Sequence, residues 1–287
     1  MAETGYLALA GFVAALTHEL GAAVRAKHGR LVIVEGAPRP VAWAANVWHA
    51  PRRISIASIG DAAKQLRAIQ RNWALYPTAH HRRAALIVEK LPKVSAKPLR
   101  FSDPAPTAPM GSWTLLDADS VLVAPHCSSP FANGEARFVE NKMAPSSTYL
   151  KLWELFTLVS ERPRAGEICL DLGASPGGWS WVLAQLGTQV TAVDKVALAP
   201  AVMRLPNVTI LQQSAFALAP QTVGAVDWLC CDVICYPARL LALVEKWIEA
   251  GTRAALRLHR EISGCDRFRD RAPLRADSGR APAPSPS

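Results

Sequence analysis

The chain has 287 residues, a mass of 30.9 kDa and a formal net charge of +9, and 50% of its residues are hydrophobic. This composition allows two modest domains with buried cores and excludes a chain that is disordered throughout. No uncharged apolar run reaches the roughly 18 to 20 residues of a membrane helix, and Glu3, His18 and Glu19 interrupt the apolar start where a secretory signal would be unbroken. The sequence therefore predicts a cytoplasmic protein.

Two apolar patterns open the chain. Residues 5–21 read as a strand followed by a helix that ends at Gly21, and residues 29–36 read as a second strand. Together they predict a small α/β unit. Residues 25–100 hold fifteen Lys and Arg against three acidic residues, a local excess of twelve positive charges. Such an excess suits a polyanion, and nucleic acid is favoured over a membrane because no basic amphipathic anchor accompanies it.

A helix is predicted to begin at Ser58 or Asp61, with basic residues three and four positions apart along one face. This stripe is either an RNA-binding surface or a solvated helix face, because runs of charge often serve solubility alone. A second basic pair follows about ten residues later. The predicted RNA-binding residues are Lys64, Arg67, Arg71, Arg82 and Arg83.

A proline-rich passage, Pro104 to Pro109, is the candidate domain boundary. A β-hairpin is predicted after it at 112–125, with the turn at 117–120 between two apolar strands. We therefore expect a basic α/β domain at 1–105 and a linker containing this hairpin at 106–147.

Helices and strands alternate from residue 148 onward, which predicts a doubly wound parallel sheet with its ligand at the carboxyl ends of the strands. The expected helices are 148–160, 177–186 and 237–250, and the expected strands are 167–172, 189–193, 207–211 and 225–231. The segment 254–287 is rich in Arg, Ala, Pro and Ser without apolar periodicity, and is predicted to be an aberrant, disordered tail.

A glycine-rich corner follows the first strand of this alternation, in "DLGASPGGW" at 171–179. Its glycines would let the backbone approach a ligand closely, although a tight structural turn is the alternative. The Gly-x-Gly-x-x-Gly pattern of NAD enzymes is absent, and Pro176 removes a backbone donor that a pyrophosphate would use. The corner therefore favours S-adenosylmethionine, whose methionine part carries no phosphate. Asp194, at the end of the next strand, is placed to accept hydrogen bonds from a ribose diol.

The motif "DLGASPGGW" resembles the cofactor motif of the FtsJ-like ribosomal RNA ribose 2′-O-methyltransferases. Further segments, among them "SSTYLKLWELF", "VTAVDK" and "VDWLCCDV", fall in that family's order and spacing. The resemblance runs from about residue 6 to residue 253. It implies a Rossmann-like methyltransferase sheet at 148–253, preceded by a smaller basic α/β RNA-binding domain that is ferredoxin- or THUMP-like.

The resemblance also implies roles for particular residues. Lys151 and Asp232 match catalytic residues of the family, which would position a ribose hydroxyl and remove its proton or neutralise its charge. Outside that context Lys151 would pair with Glu154 on a helix surface, and Asp232 would cap a helix. The implied cofactor contacts are Thr148, Gly173, Ser175, Pro176, Gly177, Gly178, Trp179, Asp194, Ser214 and Asp232. Two of them carry a reservation, since Trp179 could be a core residue and Ser214 stands where the family has an acidic residue.

The implied activity is methyl transfer from S-adenosyl-L-methionine to a ribose 2′-hydroxyl of rRNA, most readily that of the large subunit, by a monomer that holds no metal. The six cysteines fit this expectation, because they lack the spacing of a zinc site or of a disulfide framework. A nicotinamide-dependent oxidoreductase is a more distant alternative.

The C-terminus departs from the family after about residue 253. The family continues with a strand that carries a second catalytic lysine, and the sequence offers no such lysine, which predicts a sheet truncated at its C-terminal strands. A shifted reading frame over Leu256 to Arg269 is one explanation. The alternative function is therefore a catalytically impaired or non-enzymatic protein that binds RNA and the cofactor.

Overall fold

A computed structural model describes residues 2–94, 97–159, 161–250 and 255–258. The chain divides into two compact units: the first comprises Met1–Met143 with Leu150–Arg162, and the second comprises Ala144–Tyr149 with Pro163–Ser287. No helix within the described ranges is both long and apolar enough to cross a membrane.

The first unit is built on two sheets. The five-stranded sheet has the order β2-β3-β1-β4-β9 and the four-stranded sheet has the order β5-β8-β7-β6, in which β6 and β7 are parallel. The elements in chain order are β1 (Glu3–Ala8), α1 (Val13–Leu20), β2 (Val24–His28), β3 (Leu31–Glu35), β4 (Ala44–His49), β5 (Arg52–Ser55), α2 (Ile59–Ile69), β6 (Trp73–Leu75), α3 (His81–Val88), β7 (Gly111–Leu115), β8 (Ser120–Ala124), β9 (His126–Cys127) and α4 (Tyr149–Leu158), whose first residue belongs to the second unit.

The predicted elements at the start of the chain are present. α1 ends at Gly21, whose φ of 62° is a left-handed value that favours glycine. β2 is not predicted from the sequence. It is a half-buried strand at the edge of the sheet, and its basic residues interrupt the apolar pattern that would indicate a strand. α2 begins after Ser58, whose hydroxyl accepts a hydrogen bond from the backbone N–H of Asp61 at 3.1 Å. Gln70 already has extended backbone angles, so Arg71 lies beyond the end of α2. Of the predicted basic stripe, only Lys64 and Arg67 therefore lie on the helix.

The predicted hairpin forms, but it does not belong to a linker. β7 and β8 pair in antiparallel register and are the two central strands of the four-stranded sheet. Their inward side chains, including Trp113 and Val121, pack with Leu66 of α2 and Ile87 of α3 in one core. The predicted boundary at 104–109 and the linker at 106–147 are therefore corrected, because this core places the hairpin inside the first unit.

The second unit is a parallel sheet with the order β12-β11-β10-β13-β14, which confirms the predicted alternation. β10 and β13 are almost fully buried, as expected of central strands that are covered on both faces. The elements are β10 (Ile168–Leu172), α5 (Gly178–Gln185), β11 (Gln189–Val193), α6 (Pro200–Met203), β12 (Val208–Leu211), α7 (Pro220–Val223), β13 (Trp228–Cys231), α8 (Pro237–Glu249) and β14 (Ala255–Leu258).

β14 corrects part of the C-terminal prediction. Residues 255–258 pair in parallel with β13, so the sheet continues for one strand into the segment predicted as a disordered tail. A short, mostly apolar stretch can form ladder hydrogen bonds with a neighbouring strand even where the composition of the surrounding segment favours disorder. The rest of the predicted tail, 259–287, lies outside the described residues, and so does most of the segment considered for a shifted frame.

Candidate functional site

The order of the second sheet reverses between β10 and β13. β11 and β12 lie on one side of β10, whereas β13 and β14 lie on the other, so the connections leave these two strands in opposite directions. A crevice forms outside the carboxyl ends of the strands at such a point. A pocket of about 430 Å³, including its open mouth, lies there. Its lining residues are Thr148, Gly173, Ala174, Ser175, Trp179, Asp232 and Ile234.

Two glycines of the corner are required by close packing. Gly173 has a φ of +81°, and a Cβ there would lie 2.9 Å from Cγ2 of Val233 and 3.0 Å from the carbonyl oxygen of Asp232. A Cβ on Gly178 would lie 2.0 Å from Oγ1 of Thr148. Protein atoms already fill the space that a side chain would need at these two positions. Gly173, which lines the pocket, therefore presents only its backbone there.

Asp194 connects the end of β11 to the glycine corner. Its Oδ2 accepts a hydrogen bond from the backbone N–H of Ser175 at 3.0 Å, and its Oδ1 accepts one from Val196 N–H at 2.9 Å. A carboxylate has about four acceptor positions, so these two bonds orient the group without exhausting it. Asp194 can therefore still accept hydrogen bonds from two neighbouring hydroxyls.

Thr148 and Trp179 hold the segment before α4 against α5. The indole Nε1 of Trp179 donates to the carbonyl oxygen of Thr148 at 3.1 Å, and the Thr148 hydroxyl lies 2.7 Å from that of Ser146. Trp179 is 4% exposed and also lines the pocket. Trp179 is thus a core residue that also lines the pocket, and its contact with the cofactor stays a prediction.

Asp171 lies in the corner motif but is fully buried behind it. The Ser180 hydroxyl donates to its Oδ2 at 2.6 Å, which ties β10 to α5. Burial raises the pKa of Asp171 to about 7, with the neighbouring Asp232 charge adding to the rise and the Ser180 hydrogen bond opposing it. Its Oδ1 has no hydrogen-bond partner in the described part of the chain. The protonated carboxyl is the form that this site favours.

The structure brings most of the predicted cofactor residues together. Five of them line one pocket, and Asp194 is one hydrogen bond away from Ser175. Gly177 and Gly178 start α5, and Pro176 is exposed while its carbonyl accepts from Ala199 N–H at 2.9 Å. Ser214 lies after β12, and its side chain is not among those that line the pocket.

Three residues mark the limits of the sequence prediction. Ala174 and Ile234 line the pocket without having been predicted. Ala174 could have been found from its place inside the motif, whereas nothing in the sequence distinguishes Ile234 from other loop residues. Lys151 lies on α4 among the residues of the first unit, so its pairing with Asp232 stays a prediction.

The predicted RNA-binding residues are not equally available. Lys64, Arg67, Arg71 and Arg82 are exposed, and Arg67 donates from Nη1 to the carbonyl oxygen of Lys90 at 2.9 Å. Arg83 is half-buried. Trp48 and Trp73 are buried in the cores of the first unit, so neither ring is open to an RNA base.

The cysteines near the pocket are inert in this environment. Burial raises the pKa of Cys231 and of Cys169 to about 12, which keeps both thiols protonated at neutral pH. The ranges that the structure describes contain no group of three His, Cys, Asp or Glu residues able to hold a metal ion.

The span that carries the pocket matches a known protein family. Residues 147–256 match the FtsJ-like methyltransferase family. The match ends inside β14, so it includes four strands of the parallel sheet and the first half of the fifth.

Two proteins that are similar to this part of the chain are ribosomal RNA large subunit methyltransferases M. The protein from Halorhodospira halophila is 44% identical over 128 residues, which are 43% of this chain and 37% of that protein. The protein from Azoarcus sp. is 40% identical over 129 residues, which are 43% of this chain and 35% of that protein. The chain thus covers little more than a third of these relatives' length.

A solved structure of a ribosomal RNA methyltransferase from Plasmodium falciparum is 20% identical with a TM-score of 0.29, over 37% of this chain and 71% of that one.

Proposed function

We propose that the chain is an S-adenosyl-L-methionine-dependent methyltransferase that acts on a ribose 2′-hydroxyl of rRNA. The observation that carries the proposal is the pocket at the switch point, where Asp232 from the end of β13 lines the same space as the glycine corner after β10. The FtsJ-like match covers both sides of this pocket.

The residues around the pocket fit S-adenosylmethionine. Gly173 presents backbone without a side chain to the pocket, which suits the slender methionine part, and Asp194 retains acceptor capacity for a ribose diol. When bound, the cofactor supplies an electrophilic methyl group on its sulfonium. We assign its binding to Thr148, Gly173, Ser175, Gly178, Trp179 and Asp194. A contact of Ser214 with the adenine rests on the family resemblance alone.

Asp232 is the proposed catalytic residue of the described pocket. Its backbone N–H donates to the carbonyl oxygen of Leu172 at 3.0 Å, which extends the β10–β13 ladder and fixes the residue at the pocket rim. A carboxylate held there can orient a ribose 2′-hydroxyl and accept its proton. Lys151 is proposed as the second catalytic residue, and this assignment rests on the family resemblance.

The first unit is the proposed RNA-binding part. Its exposed Lys64, Arg67, Arg71 and Arg82 belong to the segment with an excess of twelve positive charges, which favours phosphate contacts. Large-subunit rRNA is the proposed substrate, because the two similar proteins carry that name. We further propose that the protein acts as a monomer in the cytoplasm.

A second candidate function is binding of RNA and cofactor without efficient transfer. No lysine follows Lys246 in the chain, whereas the resemblance places a second catalytic lysine after this point. Without a second cation near the attacking oxygen, the developing charge on the ribose would be less well neutralised.

Transfer of a labelled methyl group from S-adenosylmethionine to isolated large-subunit rRNA separates these candidates. We expect transfer by the unaltered chain and a loss of roughly 10²-fold or more in Asp232→Asn, in the range typical of a missing general base. Calorimetry with S-adenosylhomocysteine should show a much smaller loss of affinity than of transfer, because Asn keeps the size of the side chain and one acceptor oxygen. Asp227→Asn is the matched control, because Asp227 lies before β13, at the opposite end of the strand, and accepts from Ile168 N–H.

Each outcome has one interpretation. If the chain binds S-adenosylhomocysteine and rRNA but transfers no methyl group, the second candidate replaces the first. If it binds neither ligand, the proposed function is contradicted.

A further inference from the structure

Two large side chains beside the pocket are exposed. Ile234 is 72% exposed and Tyr236 is 76% exposed, and both belong to the loop between β13 and α8. Ile234 lines the pocket itself. Single exposed apolar residues are common on protein surfaces, but an isoleucine that lines the pocket and a tyrosine two positions later give this loop a surface that a ligand can cover.

The backbone that carries Tyr236 is fixed. Tyr236 is the N-cap of α8, and its carbonyl oxygen accepts from Arg239 N–H at 2.9 Å and from Leu240 N–H at 3.1 Å. Pro237 follows, and a residue before proline is restricted to extended angles, as the observed φ of −63° and ψ of 142° show. Within the described ranges the Tyr236 hydroxyl forms no hydrogen bond. The ring therefore stands on a rigid support without a role in the core.

A cation is held close to the same helix turn. The guanidinium of Arg239 lies 3.9 Å from the ring centroid of Phe216, which follows β12. Arg239 forms no ion pair with a carboxylate of the described residues, and the first turn of α8 has no acidic residue. An open aromatic ring beside an arginine that retains its charge is the combination that binds a nucleotide, because the ring stacks on a base and the cation attracts phosphate.

We propose that Tyr236 stacks on the base of the ribonucleotide whose ribose enters the pocket at Asp232, with Ile234 packing against the sugar. This inference rests on the proposed function. Tyr236 lies four positions after Asp232, a span of at most about 14 Å in extended chain. The base is bonded to the ribose carbon next to the one that carries the 2′-hydroxyl. A ribose positioned at Asp232 therefore brings its base within reach of Tyr236. Since every base has an aromatic face, the contact orients the nucleotide without selecting its identity.

The test uses the full chain with S-adenosylhomocysteine and a short single-stranded RNA that contains 2-aminopurine, whose fluorescence reports stacking. Tyr236→Ala should weaken RNA binding by about five- to one-hundred-fold, the range that loss of one stacked base gives. It should also remove the part of the fluorescence change that stacking causes. Tyr236→Phe keeps the ring and should behave as the unaltered chain does.

Salt dependence distinguishes stacking from charge. Tyr236→Ala should leave the slope of log affinity against log salt unchanged, whereas Arg239→Ala should reduce its magnitude by about 0.7, the value for one lost phosphate contact on a single strand. A purely structural role would lower the melting temperature, which we expect to stay unchanged because the side chain is exposed.

Equal RNA affinity and equal fluorescence change in Tyr236→Ala and the unaltered chain would overturn the inference and leave a protein partner as the candidate occupant. The proposed function would survive that result if S-adenosylhomocysteine still binds and methyl transfer to rRNA still occurs. Failure of the unaltered chain to bind either S-adenosylhomocysteine or RNA would instead remove the proposed function and this inference with it.

Discussion

The two units place their polar side chains in different ways. In the second unit all strands are parallel, so every strand ends at the same edge of the sheet, and Gly173 and Asp232 meet there although 58 intervening residues separate them. In the first unit most neighbouring strands are antiparallel, so successive strand ends lie at opposite edges and the basic residues spread over exposed surfaces. Topology therefore brings the candidate site residues together in the second unit and spreads the basic residues apart in the first.

The largest expected effect on ligand binding is that of Gly178→Ala, which adds a methyl group in the glycine-rich corner of the second unit. Gly178→Ala would place its Cβ 2.0 Å from Oγ1 of Thr148, so the segment before α4 must move. We expect a loss of about 1 to 3 kcal/mol in the free energy of unfolding, as for other overpacked sites, together with loss of S-adenosylhomocysteine binding. Urea denaturation and calorimetry measure the two effects.

Gly60→Ala in the first unit is the control for this comparison. Gly60 lies in α2, and a Cβ there meets only the Ser58 hydroxyl at 3.7 Å. Alanine should therefore raise stability by a few tenths to about 1 kcal/mol, since it is the better helix former. A comparable loss in both variants would contradict the distinction between a packed corner and an open surface.

The second expected effect is a pH dependence of the free energy of unfolding, caused by Asp171 of the second unit. The pKa of Asp171 is about 7 in the folded chain against an ordinary value of 3.8, so the folded state binds this proton more tightly than the unfolded state does. The contribution of Asp171 to stability should therefore fall as the pH rises from about 4 to about 7, by up to about 1.4 kcal/mol per pH unit. Denaturation of the chain and of Asp171→Asn across this range measures the difference.

Asn cannot ionise, so the variant should lack this part of the slope while it still accepts the Ser180 hydrogen bond. Identical slopes in the two proteins would show that Asp171 is not protonated in the folded state.

A smaller effect is expected at the start of α2. Ser58→Ala removes the hydroxyl that accepts from Asp61 N–H, which should cost about 1 kcal/mol of stability. Ser55→Ala is the matched control, because Ser55 is an exposed serine that lies on β5 and caps no helix. Thermal denaturation should separate the two variants, and equal melting temperatures would exclude a capping contribution.

The smallest effect is expected on the basic surface. Arg82→Ala should reduce the magnitude of the log–log salt slope of RNA binding by about 0.7 and lower the affinity slightly. Arg164→Ala, an exposed arginine of the second unit outside the predicted RNA-binding set, is the control. If both changes reduce the slope equally, RNA binding is not concentrated on the predicted residues of the first unit.

Sequence reasoning predicted the second unit better than the first, for the same topological reason. Alternating apolar patterns predicted β10 to β13, and the rule on strand ends then brought Thr148, Ser175 and Asp232 to one pocket. Ile234 could not be predicted, because its role depends on how the loop after β13 turns toward the pocket. β14 was missed because its pairing with a buried strand outweighs an unfavourable composition.

The first unit was harder to predict because long-range packing decides its boundaries. The prolines before β7 suggested a linker, yet the core formed with α2 and α3 draws the hairpin into the unit. Arg71 was assigned to the helix from spacing alone, while the helix ends two residues earlier. Charge is visible in the sequence, but the surface on which each charge lies depends on these tertiary contacts.

The central claim is that the pocket at the switch point binds S-adenosylmethionine. Calorimetric titration of the chain with S-adenosylhomocysteine, beside Asp194→Ala and the control Asp227→Ala, tests it most directly. We expect saturable binding at one site, a loss of about 10- to 100-fold in Asp194→Ala, as for a lost hydrogen bond to a charged group, and unchanged binding in the control. Equal affinity in Asp194→Ala, or competition by NADH in place of S-adenosylhomocysteine, would contradict the account.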